Sequence, residues 1–298
     1  MKKLSGILGF LLILVFAGAG FAVQFDPIPE GINIVVLVKN HSNLPLASLL
    51  EKAPLPKEAK DKIDALINET AFNPLRDVAQ VQVMVKKAEE RRNDEVVIVL
   101  TGKFDKEKIP AFLKKINLPI DETKIGEQPY WVSKDGKGGL VIFDSEKAAL
   151  GKPEAVKGFI ETRAGKAPSA AFDSLKSMTN EKAYVTLLVG GAEFLKNEMA
   201  KNKEKRERRR KANDDMPHAR NQVRTWLEDY LTGDVAPQGL FANILDDKIE
   251  AKLLYDRGES KGNFAHLLIE ISDPKIKIDA IFQEFLKILP ELKPPVKE

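Results

Sequence analysis

The chain has 298 residues, 43% of them hydrophobic, with 47 basic and 44 acidic side chains and a net charge of +3. That length supports one or two domains with a sizeable core, and the charge total points to no partner class. No cysteine is present, which excludes disulfides, thiolate-built metal sites and the usual lipid attachment point of an exported lipoprotein.

Lys2 and Lys3 precede an apolar stretch from Leu4 to Val23 that ends in Ala17, Gly18, Ala19, Gly20 and Ala22. A basic start, an apolar run and small residues at a cleavage position form a secretory signal, read here as residues 1–22. The competing reading is an uncleaved anchor, because about 20 apolar residues are enough to span a bilayer. Either reading places the protein outside the cytoplasm, in the periplasm or at the surface of a bacterial cell.

Ile32 to Val38 is a β-branched and aliphatic run, so a buried strand is expected. Leu46, Leu49 and Leu50 have helical spacing, and Ala59, Ile63, Leu66, Ile67 and Thr70 line one face of a second helix. Asn73-Pro74 marks a turn. Val81, Val83 and Val85 alternate with Gln82 and Met84, which predicts a half-buried strand, and Glu95 to Thr101 predicts its hairpin partner. Ile109, Phe112, Leu113 and Ile116 give a helix after Asp105. Pro110 shifts its expected start toward Pro110 itself, because proline lacks the N–H an interior turn needs.

Pro129 to Ser133 and Leu140 to Phe143 predict a hairpin around the glycines at 136, 138 and 139. Pro153 opens a short helix that Gly165 ends. Lys166 to Asn180 reads as a linker or irregular connection. Ala183 to Val189 is a strand ending at Gly190-Gly191, followed by an interrupted helical region to about Leu231. Gly239 to Leu245, Ile249 to Tyr255 and Phe264 to Ile271 read as an antiparallel meander. Asp273-Pro274 then opens a final helix whose apolar face is Ile278, Ile281, Phe282, Phe285 and Leu286.

The expected fold class is α+β: two related β-α-β-β-α units, with antiparallel sheets packed by helices. The first domain is 23–175 and the second 176–298, with a charged helical insertion near 196–217. The relation rests on one match. Val96 to Leu100, Asp105 and Phe112-Leu113-Lys114-Lys115-Ile116 parallel Leu267 to Ile269, Asp273 and Phe285-Leu286-Lys287-Ile288-Leu289.

The loudest local signal is basic. Lys196 to Lys211 carries nine basic and three acidic residues, so the rest of the chain is net negative. Lys201, Lys203, Lys205, Arg206, Arg208, Arg209, Arg210 and Lys211 are the candidate binding residues for a polyanion such as anionic lipid or envelope polymer. Nucleic acid fits poorly, because no aromatic side chains interleave the charges as stacking platforms. The alternative is a solvated helix, supported by the i, i+4 pairs Glu204 with Arg208 and Glu207 with Lys211. Val223, Trp226, Leu227, Tyr230 and Leu231 form an amphipathic face that packs on the sheet or meets a partner.

Catalysis has little support in the sequence. His41, His218 and His266 lie at no recognised ligand spacing. Ser145, Ser169 and Ser174 lack the G-x-S-x-G setting of a nucleophile elbow. The glycines at 136–139 are followed by a strand, not the helix a phosphate cradle needs, and Gly190-Gly191 lacks the remaining phosphate-loop residues. Asn40-His41-Ser42 and Asn68-Glu69-Thr70 fit the glycosylation pattern only if the pathway is eukaryotic. No catalytic residue, metal or cofactor is implied.

Three stretches carry a family resemblance: Phe72-Asn73-Pro74-Leu75-Arg76-Asp77-Val78, Thr101-Gly102-Lys103-Phe104-Asp105 and Ala149-Leu150-Gly151-Lys152-Pro153-Glu154-Ala155-Val156-Lys157. They resemble a group of uncharacterised exported bacterial proteins, over about half the chain and mostly in its first domain. The resemblance implies turns and a strand-to-helix junction and supplies no functional residue. The resulting expectation is an exported, non-catalytic binding or interaction protein whose partner is an anionic envelope component or another protein. A peripheral binder acting through 201–211 and a carrier of an apolar ligand are the alternatives.

Overall fold

The computed structural model describes residues 25–39, 57–88, 94–116, 119–180, 182, 183, 185–191, 194, 195, 197, 236–245, 248–257 and 260–270. Its strands are β1 (Ile34–Lys39), β2 (Val78–Lys86), β3 (Glu95–Gly102), β4 (Ile120–Ile125), β5 (Gln128–Ser133), β6 (Gly139–Ile142), β7 (Lys147–Gly151), β8 (Val185–Gly190), β9 (Ala236–Ile244), β10 (Lys248–Arg257) and β11 (Ser260–Glu270). Its helices are α1 (Lys57–Thr70), α2 (Pro74–Asp77), α3 (Lys108–Lys115), α4 (Pro153–Arg163) and α5 (Asp173–Lys176), the last entered through a 3-10 turn at Ala170–Phe172.

All eleven strands belong to one sheet, in the order β11-β10-β9-β8-β1-β2-β3-β7-β6-β5-β4. Every pairing is antiparallel. The strand nearest the start of the chain, β1, lies between β2 and β8, with Val35 opposite both Met84 and Leu188. Strands from both sides of position 175 therefore meet in a continuous ladder. The mixed helix-and-sheet class and its antiparallel pairing follow the sequence pattern, and the sheet is single.

The two faces are covered differently. On one, which we call the strap face, Val35, Met84, Val97, Val99, Val141, Ala149, Leu188 and Phe241 pack under Ile28 and Ile32 and under Val156, Phe159 and Ile160 of α4. Phe172 and Leu175 complete this layer, at 0% and 1% exposure. The segment from Lys166 to Asn180 thus has the irregular course expected of a connection, but it is part of the core. Its two large apolar residues replace the missing periodicity. On the opposite face, Val78, Val81, Ile98, Leu100, Trp131, Ile142, Ala148 and Leu150 pack with Phe104 and Ile109, and Phe72 joins from the turn before α2.

Three local expectations change. In β2, Gln82 and Met84 sit in the strap-face core, at 1% and 0% exposure. The face that carries them is the covered one, with Val83 and Val85 half-buried on the other, and the Gln82 amide has a backbone partner, so polar identity misled the reading of which face is buried. In α3, the Asp105 carboxylate accepts the N–H groups of Glu107 and Lys108 at 3.0 and 2.8 Å. The helix starts at Lys108, and Pro110 lies in the first turn, where its missing N–H costs little. Strand β4 (IDETKI) carried no alternation to read, because its four central residues are all exposed at the sheet edge. Charges there discourage edge-to-edge association.

The leader, the helix at Leu46 to Leu50, most of the region 192–235 and the helix after Asp273 lie outside the described residues.

Candidate functional site

The strap face is closed by residues 25–33, a segment that turns at Glu30–Gly31 and is held by bonds from its backbone. Asp26 N–H donates to Gln82 Oε1 at 2.9 Å, and Gln82 Nε2 donates back to Asp26 O at 3.3 Å. Ser169 N–H donates to Ile28 O at 2.8 Å, and Gly190 N–H to Asn33 O at 2.9 Å. Two prolines, Pro27 and Pro29, keep the part before that turn extended and out of the ladder.

Asp26 is 3% exposed, and its Oδ1 accepts from Lys147 Nζ at 2.5 Å, with Arg163 Nη1 at 3.7 Å. Asp26 Oδ2 has no protein partner. The Arg163 guanidinium also reaches Asp144 Oδ2 at 3.3 Å and lies 4.7 Å from the centroid of the Phe143 ring. One strap carboxylate is thus clamped by a strand lysine and a helix arginine. The clamp fixes where the strap passes α4.

Between strap and helix lies an open groove of about 430 Å³, within the usual range for a small-ligand site. Pro29, Glu30 and Ile32 line one side, and Glu154, Lys157, Gly158, Glu161 and Thr162 the other, with Lys86, Glu95 and Lys166 at the ends. Lys86 pairs with Glu95 and Lys166 with Glu161, both at 3.3 Å. Gly158 lines the groove, and a Cβ there would meet nothing within 4 Å. The Thr162 hydroxyl donates to Gly158 O at 2.8 Å. Beneath α4, burial and the Glu154 charge push the Tyr130 phenol up to about 12, and its O–H donates to Pro153 O at 3.2 Å. The groove rim carries charges of both signs, with Lys86, Lys157 and Lys166 against Glu30, Glu95, Glu154 and Glu161.

The basic candidates Lys201, Lys203, Lys205, Arg206, Arg208, Arg209, Arg210 and Lys211 lie outside the described residues, as do His41 and His218. His266 lies in β11 opposite Lys252 of β10. Among the described residues, no group of three or more His, Asp or Glu is placed to hold a metal ion. Nor is any helix among them long and apolar enough to cross a membrane. Sequence reasoning missed the groove. Its only early signals were a glycine inside a helix and an aspartate before Pro27.

The three motif stretches meet as structural stitching. Asp77 Oδ2 accepts Asn73 N–H at 2.7 Å, Lys103 N–H donates to Asp77 O at 2.8 Å, and the Phe72 and Phe104 rings lie 5.4 Å apart. A Cβ on Gly102 would stand 2.2 Å from Asp77 O, and one on Gly151 2.1 Å from Val96 O. These glycines are required by backbone contact between neighbouring segments.

No protein-family model and no curated protein matches this chain. Among solved structures it is similar to crystal forms of TP0453. With form IV it shares 14% identity over 87% of this chain and 97% of that one, at a TM-score of 0.43. With form III the identity is 14% over 80% and 83%, at 0.40. With form I it is 11% over 93% and 90%, at 0.39.

Proposed function

We propose that this chain is an exported, non-catalytic binding or interaction protein of the bacterial envelope, and that the groove between strap and α4 is its binding site. The observation that carries the reading is the groove itself: an open volume lined by charges of both signs, with open space beside Gly158. Export rests on the N-terminal pattern of Lys2-Lys3 and the apolar run. A duplicated β-α-β-β-α ancestry belongs to the same reading and rests on the paired strand, aspartate and helix pattern.

The test compares the native chain with Gly158→Phe, which fills the groove from an open position. Thermal shifts are measured against charged envelope-type glycans and short peptides. A shift in the native chain that vanishes in G158F supports the reading. Equal shifts in both, or none across the set, count against it, as does turnover of a hydrolase substrate that a point mutation abolishes.

A second reading rests on the basic run. Nine basic residues against three acidic ones between Lys196 and Lys211 favour a peripheral binder of anionic membrane or polymer through residues 201–211. Equal vesicle binding after neutralising Arg206, Arg208, Arg209 and Arg210 would exclude it.

A further inference from the structure

The charges along the groove divide by whether the protein already matches them. Lys86 is matched by Glu95 and Lys166 by Glu161, each at 3.3 Å. Glu30, Glu154 and Lys157 line the same groove, are exposed, and enter no ion pair with a described residue. The unmatched set is therefore two carboxylates and one ammonium, net negative in a chain whose total is +3. Pro29, Ile32 and Ala155 supply buried apolar lining beside them.

We propose, resting on the reading that this groove is the binding site, that its ligand is a short peptide with free termini and one basic side chain. Charge complementarity selects this class. Such a peptide carries two cations, its α-amine and its side chain, and one anion, its terminal carboxylate. Those three charges answer Glu30, Glu154 and Lys157 one for one. Glu154 and Lys157 stand three positions apart on α4, which sets their Cβ atoms ~5–6 Å apart on one helix face. A cation and an anion held a few ångströms apart on one ligand meet both. Glu30 receives the second cation from the strap side, and the aliphatic stem of the basic residue lies along the apolar lining. An anionic glycan brings the wrong sign to two of the three groups. An acyl chain would desolvate all three charges and return no partner to any of them. The contacts are exposed, so each contributes only about a two- to fivefold change in affinity. The selectivity comes from the three together.

The test is calorimetric titration of the full chain with the tripeptides Ala-Lys-Ala, Ala-Met-Ala and Ala-Glu-Ala, and with Ala-Lys-Ala amidated at its C-terminus. The expected order is Ala-Lys-Ala tightest, Ala-Met-Ala weaker by about two- to fivefold, and Ala-Glu-Ala weakest. Glu154→Gln and Glu30→Gln should each weaken Ala-Lys-Ala by a similar factor. Amidation should weaken binding to the native chain and make no difference in Lys157→Met. These three side chains are exposed, so their variants keep the fold. Ala-Glu-Ala binding as tightly as Ala-Lys-Ala overturns the proposal, as does an amidation penalty that persists in K157M. If such an acidic peptide or a glycan binds and Gly158→Phe abolishes it, the groove reading stands and only the ligand class falls. If no probe binds, or G158F binds them all as the native chain does, the groove reading falls with it.

Discussion

Removing the Lys147 ammonium is the sharpest test of how the strap is held. Asp26 is 3% exposed, and Lys147, 13% exposed, donates to it at 2.5 Å; Arg163 stands farther off at 3.7 Å. Breaking a buried pair by deleting one partner typically costs ~3–5 kcal/mol, because the surviving charge stays desolvated. In Lys147→Met the surviving carboxylate keeps only the more distant arginine, so the expected loss is at the lower end, about 3 kcal/mol. Asp26→Asn is expected to cost less, because the slightly exposed lysine can swing its head into water. Replacing both, D26L with K147M, is expected to recover most of the loss or exceed native stability, as apolar substitutes for buried pairs often do. The assay is urea unfolding of the native chain, K147M, D26L and D26L/K147M, which close a double-mutant cycle for the coupling, with D26N measured alongside. A K147M loss under ~1 kcal/mol, the range of an exposed pair, would refute the claim that this pair is buried and structural. A double variant less stable than K147M alone would refute the apolar-substitution argument.

Gly151→Ala is expected to destabilise by ~1–3 kcal/mol or more, since its Cβ would stand 2.1 Å from Val96 O and overpacking in a closed site costs about that much; Gly158→Ala, with open space around it, is the contrasting control in the same unfolding experiment. Asp77 makes stability depend on pH. Burial raises its pKa, but the Arg76 bond, the Asn73 N–H and the charges of Arg76 and Lys103 outweigh this and hold it below the usual carboxylate value. Its contribution to stability is therefore full above ~3.9 and is lost as pH falls through that value toward the folded pKa. Asp77→Asn should flatten this acid limb of a stability-against-pH curve. The Tyr130 phenol, at about 12, works in the other direction. Stability is intact below the ordinary phenol value of ~10 and falls between there and about 12, a loss that Tyr130→Phe should remove and ultraviolet titration should locate.

Strands with dense β-branched content were legible from sequence because the strap face is buried there and the opposite face is at least half-buried, which leaves little room for other composition. That holds for β1 and β3, and the β5–β6 hairpin was marked by its glycine turn. Gln82 was misread because a polar side chain normally signals solvent. Here it bonds the Asp26 backbone, a contact across 56 positions of sequence that no local window contains. Phe172 and Leu175 were not legible as core residues for a related reason: each is an anchor within a segment without a period. The groove was illegible because its two walls, 29–32 and 154–166, are far apart in sequence and become neighbours only in the fold, through the shared core of Ile28, Ile32, Val156 and Phe159 and the Asp26–Lys147–Arg163 clamp. Asp77, Gly102 and Gly151 were legible as motifs and not as roles. Their purpose is backbone contact, which leaves the same residue signature as a ligand cradle.

The two binding readings separate under salt. The groove rim carries Lys86, Lys157 and Lys166 against Glu30, Glu95, Glu154 and Glu161, so its long-range field nearly cancels. The basic run keeps a large excess of one sign. Binding to the run depends on unscreened attraction, which weakens as the Debye length falls from ~30 Å at 0.01 M to about 10 Å at 0.1 M salt. Binding in the groove depends on short contacts that such screening changes little. In a salt series with anionic vesicles, attachment through the run should fade steeply between those concentrations and disappear when Arg206, Arg208, Arg209 and Arg210 are neutralised, while Gly158→Phe leaves it unchanged. Vesicle binding that survives 0.1 M salt and is lost in G158F would instead assign the envelope contact to the groove and leave the basic run a solvated surface.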